Sequence, residues 1–266
     1  MNNSVFEATD SADNLDYKIY RDYLNDRQTQ NNRSERIKQM MKEHPGKISY
    51  TDFRKIKYDT ELPLHFKGTA FLDDMQRLDT AKYGDVARFI LLLRNWDRKN
   101  SVDSKGAAVF LVLTWYFYSH DLITDFYKEN RLNSGAYLKA LHFVKDYYHK
   151  YYRDKEMTLG EIQRFQRGSV DLPLAAYPDV MGAMFLYPDK QGVFNRPMRG
   201  DGFVMFVQFS SNGVEIETSQ AFGNSNDPKS KHYNDQMQMY VNQQLKHMSL
   251  NIDEVLESAV VKYHPR

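Results

Sequence analysis

Histidine, serine and carboxylate side chains are the groups in this sequence whose types could do chemistry, and their spacing tests each option. Eight histidines invite a metal site. None sits in a His-Glu-x-x-His array. The nearest pair on one expected helix, His142 and His149, is two turns apart, about 10 Å, too far for both to hold one ion. A serine nucleophile at a strand-to-helix elbow needs Gly-x-Ser-x-Gly, and the closest string, Gly223-Asn-Ser225-Asn-Asp227, lacks the second glycine. Gly200-Asp-Gly202 is an isolated pair and cradles no phosphate. With no cysteine, thiolate nucleophiles, thiolate metal sites and disulfides are excluded. Carboxylates are plentiful, but spacing singles out no pair. Arg199-Gly200-Asp201 spells an adhesion tripeptide, and Asn2-Asn3-Ser4 and Asn32-Arg33-Ser34 are glycosylation sequons by pattern alone. Tyr147, Tyr148, Tyr151 and Tyr152 interleave with Lys145, Lys150 and Arg153, which reads as the end of an amphipathic helix with snorkelling bases rather than a base-stacking surface.

The elements that must position such groups begin with bulk composition. The 266 residues are 41% hydrophobic and 14% aromatic, enough for a sizeable core. Charged residues reach 27%, yet the net charge is only +1, so no long-range field draws in nucleic acid or an anionic membrane. The longest apolar run, Ala107 to Tyr118, falls short of the roughly 20 residues a membrane-spanning helix needs and predicts a buried helix. Met-Asn-Asn-Ser has neither the basic nor the apolar part of an export signal, so no signal is expected on this polypeptide itself.

The first 33 residues are rich in Asn and Asp, a composition expected to fray or to wrap over a surface supplied by a partner. Ser34 is the expected cap of a helix with Ile37, Met40 and Met41 on one face. A second short helix after Thr51 is expected to turn Phe53 and Ile56 inward. From Phe71 to Trp96 the pattern is helical, with Val86, Phe89, Ile90 and Leu93 forming one stripe. Another helix is expected over 134–149 with Tyr137, Leu141, Val144 and Tyr148 on one side. Thr158 through Glu161 matches a capping box. Beyond Gly168 the period changes. Phe203 to Phe209 reads as a strand covered on both faces, Ser210 to Gly213 as a turn, and Val214 to Thr218 as a half-buried strand, with helices over 233–248 and 253–259 closing the chain. The expected class is α+β, helical for the first two-thirds and followed by antiparallel strands and C-terminal helices. The expected divisions are an N-terminal partner-wrapping segment over 1–60, a helical region over 61–155 and a strand-containing region over 156–266.

Several strings resemble the penicillin acylase family of N-terminal-nucleophile hydrolases. Gly223-Asn-Ser-Asn-Asp-Pro228-Lys-Ser-Lys-His232-Tyr-Asn-Asp235-Gln236 is similar to that family's Gly-x-Ser…Pro-x-Ser-x-His-Tyr-x-Asp-Gln segment, which follows paired strands and precedes a helix. Trp96-Asp97 with Ser104-x-Gly106-Ala107-Ala108, Thr158 through Glu161 on to Arg167-Gly168-Ser-Val-Asp171-Leu-Pro173, and Asp52-Phe53 to Asp59 resemble further family segments, all in the family's order. The resemblance implies the C-terminal part of the large subunit of an αββα-sandwich amidase. In that chemistry a serine attacks an amide with its own α-amine as base, and an acyl-enzyme is then hydrolysed. It implies Asn2 as the side-chain donor to the oxyanion and Arg33, opening the next helix, as support for that site. The attacking serine is expected on polypeptide upstream of this chain, so the expected partners are the small subunit and the nucleophile-bearing start of the large one, with an acylated amine as substrate. This chain alone is expected to be inactive. Penicillins, acylated homoserine lactones and lipopeptides are the family's substrates, and its members work mostly in the periplasm or beyond. No cofactor is required for the chemistry; the family's structural calcium is implied, with no ligand placed here. The second reading is a non-catalytic structural or interaction module derived from the same family.

Overall fold

In a computed structural model the chain is described over residues 4–6, 11–24, 31–64, 69–120, 122, 134–177 and 180–261. The helices that come first are α1 (Tyr17–Leu24), α2 (Asn32–Glu43), α3 (Tyr50–Lys57), α4 (Ala70–Gln76), α5 (Ala87–Arg94), α6 (Lys105–Ser119), α7 (Ser134–Tyr152) and α8 (Leu159–Ile162). The strands β1 (Arg164–Arg167), β2 (Val170–Pro173), β3 (Met184–Pro188), β4 (Phe194–Gly200), β5 (Phe203–Ser210) and β6 (Gly213–Gln220) follow. The short helix α9 (Met237–Val241), the strand β7 (Lys246–His247) and α10 (Ile252–Ser258) come last. The described pairings of β3 with β4 and of β5, β6 and β7 are antiparallel. The class is α+β, as the sequence predicts. Two compact units divide the chain: one holds residues 1–165 and 173–200, the other Gln166–Leu172 and Asp201–Arg266.

The first unit is built around α6. Ser104 caps it by accepting the Ala107 N–H at 3.1 Å, and every residue from Gly106 to Leu113 is buried. Gly106 has to be glycine: a Cβ there would sit 2.4 Å from the Cβ of Trp96. This contact lets α6 pass close by the end of α5. The predicted stripe on α5 is wholly inside, with Val86, Phe89, Ile90 and Leu93 at 0–1% exposure. Phe110 reaches out from α6 to Trp96 at 4.9 Å and Phe71 at 5.8 Å. On α7, Tyr137, Leu141, Val144 and Tyr148 are all buried, as their spacing predicts. The capping box at Thr158–Glu161 is present, and α8 is tied to the start of α6 by Leu159 N–H to Ser104 O (3.0 Å) and Gly160 N–H to Val102 O (2.7 Å).

Several expectations need correction. Ser34 is not the cap of α2. Asn31 is, its Oδ1 accepting the Ser34 N–H at 2.9 Å, while Ser34 answers from the third helical position. Met41 on α2 and Phe53 on α3 point outward, at 47% and 53% exposure, while Met40 and Ile56 carry the inward faces. The helical stretch from Phe71 to Trp96 is two helices, because residues 80–86 turn between α4 and α5. The expected helix over 233–248 is only α9, since Gln243 takes φ 56° and the chain leaves as β7, pairing His247 with Glu217.

In the second unit β5 and β6 form a hairpin with Ser210 opposite Gly213 and a two-residue loop, Ser211–Asn212, between them. Gly213 takes φ 122°, a conformation glycine reaches without strain. Only one face of β5 is covered. Val204 and Phe206 are buried, but Phe203, Met205 and Phe209 are 52%, 50% and 79% exposed, which corrects the expectation of a strand covered on both faces. In the sheet order β5-β6-β7 this same strand is an edge.

Candidate functional site

The segment from Ala221 to Gln236 leaves β6 and folds back on its own start. Its turns are made by side chains two residues back in sequence: Ser225 Oγ accepts the Asp227 N–H (3.1 Å), Asp227 Oδ1 the Lys229 N–H (2.9 Å) and Ser230 Oγ the His232 N–H (3.1 Å). The Ser225 N–H then donates to the His232 carbonyl at 3.0 Å, and the Gln236 N–H to the Phe222 carbonyl at 2.9 Å, closing the loop. Gly223 lies where the two limbs meet. A Cβ on it would come within 2.3 Å of the His232 carbonyl oxygen and 2.6 Å of Asp235 Oδ1.

Arg167, at the end of β1, holds this loop from the other side. Its guanidinium lies over the rings of Tyr233 (4.2 Å) and Phe222 (4.9 Å), attracted by the negative ring faces. Nη2 donates to the Ser225 carbonyl at 3.2 Å and to Asn226 Oδ1 at 3.1 Å, while the Arg167 carbonyl accepts from Asn234 Nδ2 at 2.8 Å. His232 Nδ1 pairs with Asp235 Oδ2 at 2.8 Å. Among the described residues no hydrogen bond joins the Ser225 or Ser230 hydroxyl to that imidazole. The arrangement is a clamp. It joins the end of β6 to the turn between β1 and β2.

The two residues expected to act on an oxyanion fare differently. Asn2 lies outside the described residues. Arg33 is the second residue of α2, half-buried in the turn that the Asn31–Ser34 box fixes. One turn on, Arg36, which no spacing in the sequence singles out, forms an ion cluster with Asp59 and Glu61, and Lys99 joins it at 3.8 Å from Glu61. Nε and Nη2 each reach Asp59 at 3.1 Å, and Nη2 reaches Glu61 at 3.0 Å, with all three side chains largely buried. Burial works against the charge on Arg36, but the hydrogen bond and negative charge of Asp59, with Glu61 and Glu43, outweigh it and raise its pKa. The cluster ties α2 to the chain beyond α3, and the partners lie 23 and 25 residues away. No short-range spacing could have announced it.

The sequence model of penicillin amidases matches residues 1–257. The chain belongs to the penicillin amidase family. Family members are amide hydrolases. A solved structure of a thermostable penicillin G acylase from Alcaligenes faecalis is similar over 90% of this chain and 53% of its own, with 13% identity and a TM-score of 0.48. The present chain thus spans about half the length of that relative. No curated protein matches it.

Against the penicillin amidase background, the described residues can be tested for the calcium site that the family resemblance implies. Calcium takes six to eight oxygens, mostly from carboxylates and carbonyls. Among the described residues no three acidic or imidazole side chains converge. Asp59 and Glu61 are both paired with Arg36, and Glu61 with Lys99 as well. His142 goes to Asp85 (2.9 Å) and His149 to Asp154 (2.7 Å), each with its own carboxylate. No step of the chemistry is assigned to a calcium ion. Among the same residues no helix is long and apolar enough to cross a membrane.

Proposed function

We propose that this chain is scaffold and oxyanion support for an amide hydrolase whose attacking serine is carried on other polypeptide of the same enzyme. The family match over residues 1–257 carries this reading. The open apolar face of β5 is consistent with it. In such an enzyme the serine hydroxyl adds to the amide carbonyl while its α-amine takes the proton. The amine leaves, and water releases the acyl group. Asn2 donates its side-chain N–H to the oxyanion, and Arg33, in the first turn of α2, steadies that donor. Phe203, Met205 and Phe209 pack against the polypeptide bearing the serine.

The test is to assemble this chain with the nucleophile-bearing part of the enzyme and follow hydrolysis of an acylated amine. Activity is expected only in the assembly. Asn2→Ala is expected to lower kcat by about 10²–10³-fold, as loss of one oxyanion donor does, and Phe209→Asp to weaken assembly. An assembled complex without hydrolysis, or hydrolysis unchanged in Asn2→Ala, would refute the proposal. The second reading, an interaction module, keeps the exposed β5 face and predicts assembly with no turnover.

A further inference from the structure

The β3–β4 hairpin pairs Phe185 with Arg199 and Tyr187 with Arg196. Directly opposed residues of an antiparallel pair project to the same face, so two aromatic rings and two guanidiniums share one side of the hairpin. Trp115 and Tyr118, three residues apart on one face of α6, pack onto those rings. Tyr118 lies 5.0 Å from Phe185 and Trp115 lies 5.3 Å from Tyr187, and the Tyr118 and Tyr187 hydroxyls share a hydrogen bond of 2.7 Å. That bond raises the Tyr187 pKa, and the nearby positive charges of Arg199 and Arg196 oppose the rise. All four rings are half-exposed, and Arg196 and Arg199 are exposed at their rim. No ion pair engages either guanidinium among the described residues. Aromatic and arginine side chains gathered together are the composition of an interface centre.

An occupant of this surface must bring apolar side chains and negative charge in one short stretch. Helix α10, Ile-Asp-Glu-Val-Leu-Glu-Ser, brings both. Ile252, Val255 and Leu256 recur at i, i+3 and i+4 and form one stripe, yet they are 65%, 43% and 43% exposed, and no residue of the helix is buried. Asp253 and Glu257, four residues apart, border the stripe about 6 Å from one another. Arg196 and Arg199 lie opposite strand residues two apart, about 7 Å. The helix holds no basic residue, and the first cation after it is Lys262.

We propose that α10 of a second copy of this chain docks its Ile252–Val255–Leu256 stripe on the Trp115–Tyr118–Phe185–Tyr187 surface, with Asp253 and Glu257 meeting Arg196 and Arg199. The contact is between unlike surfaces and self-associates the chain. Rim charges of this kind set the salt dependence and the choice of partner.

Sedimentation velocity on the full chain, over a concentration series at low and high salt, tests this. The average mass is expected to rise with concentration, and less so at high salt. Arg196→Glu with Arg199→Glu is expected to weaken association by about tenfold or more, as is Asp253→Lys with Glu257→Lys. Combining the two reversals restores it. Phe209→Asp, on the separate β5 face, leaves association unchanged. A chain that stays monomeric at low salt overturns the proposal. So does association indifferent to both reversals, or association abolished by Phe209→Asp alone, which would place self-contact on β5. All four reversed side chains are exposed, and circular dichroism confirms that each variant is folded before its mass is read.

Discussion

Replacing Gly223 by alanine adds one methyl group at the tightest point of the clamp. The new Cβ would sit 2.3 Å from the His232 carbonyl oxygen and 3.0 Å from its carbon, with Asp235 Oδ1 at 2.6 Å. The carboxylate can swing aside cheaply, but the carbonyl is backbone and already accepts the Ser225 N–H. Relieving the clash means moving residues 232–233 away from 223–225. Overpacking of this kind costs about 1–3 kcal/mol, and the strained or lost Ser225–His232 bond adds about 1 kcal/mol. Tyr233 moves with its neighbour, so part of its stack on Arg167 goes too. The expected total is about 2–4 kcal/mol. Urea unfolding followed by circular dichroism measures it, with Gly202→Ala as the control. Gly202 belongs to the same unit, and its added Cβ would meet nothing within 4 Å, so its change should stay within about 0.5 kcal/mol of zero or be slightly stabilising. Adding Asp235→Ala to Gly223→Ala should not rescue stability, because the nearer obstacle is the carbonyl. Equal stabilities for Gly223→Ala and the control, or full rescue by Asp235→Ala, would refute the clamp.

Two further outcomes follow from the first unit. Tyr147, Tyr148 and Tyr152 are buried, and burial, the largest cause, raises all three phenol pKa values above their ordinary 10.0. The unfolded chain gives up these protons above about pH 10 while the folded one keeps them, so stability is full below that pH and falls as pH rises through the folded values. The slope is about 1.4 kcal/mol per pH unit for each phenol, and urea midpoints read against tyrosinate absorbance check it. Ser104→Ala removes the cap of α6 and should cost about 1 kcal/mol, with Ser104→Asp recovering most of it in thermal unfolding.

Periodicity made much of the first unit legible. The Val86–Leu93 stripe, the apolar run of α6 and the Thr158–Glu161 box depend on neighbours within four residues, and each is found where the sequence puts it. The cap of α2 shows where such reasoning fails. Asn31 and Ser34 are three residues apart, either can cap, and in the reciprocal box they serve one another, so residue type alone does not say which opens the helix. Long-range partners left no trace at all. Arg36 finds Asp59 and Glu61, and Arg167 finds Tyr233 some 66 residues on, through folding rather than spacing. Of the candidate oxyanion residues, Arg33 lies in the first turn of α2, one residue inside the helix rather than before its cap, and Asn2 lies outside the described residues.

The motif that resembles the family most closely is also the one whose polar groups are most fully used. A reacting group must keep its lone pair or proton available to substrate. In the clamp, the Ser225 and Ser230 hydroxyls accept main-chain N–H groups, and His232 is engaged by Asp235. Asn234 is spent on the Arg167 carbonyl, and Gln236 on the Gln220 N–H at 3.2 Å. Those bonds fix the shape of the loop. The opposite holds for β5, whose outer row carries no charge and stays largely open to solvent, where edge strands are usually blunted by lysine, proline or a bulge. A strand apolar on both faces is suited to burial on both. Its open face therefore has the make-up of a docking surface, as the proposed assembly requires.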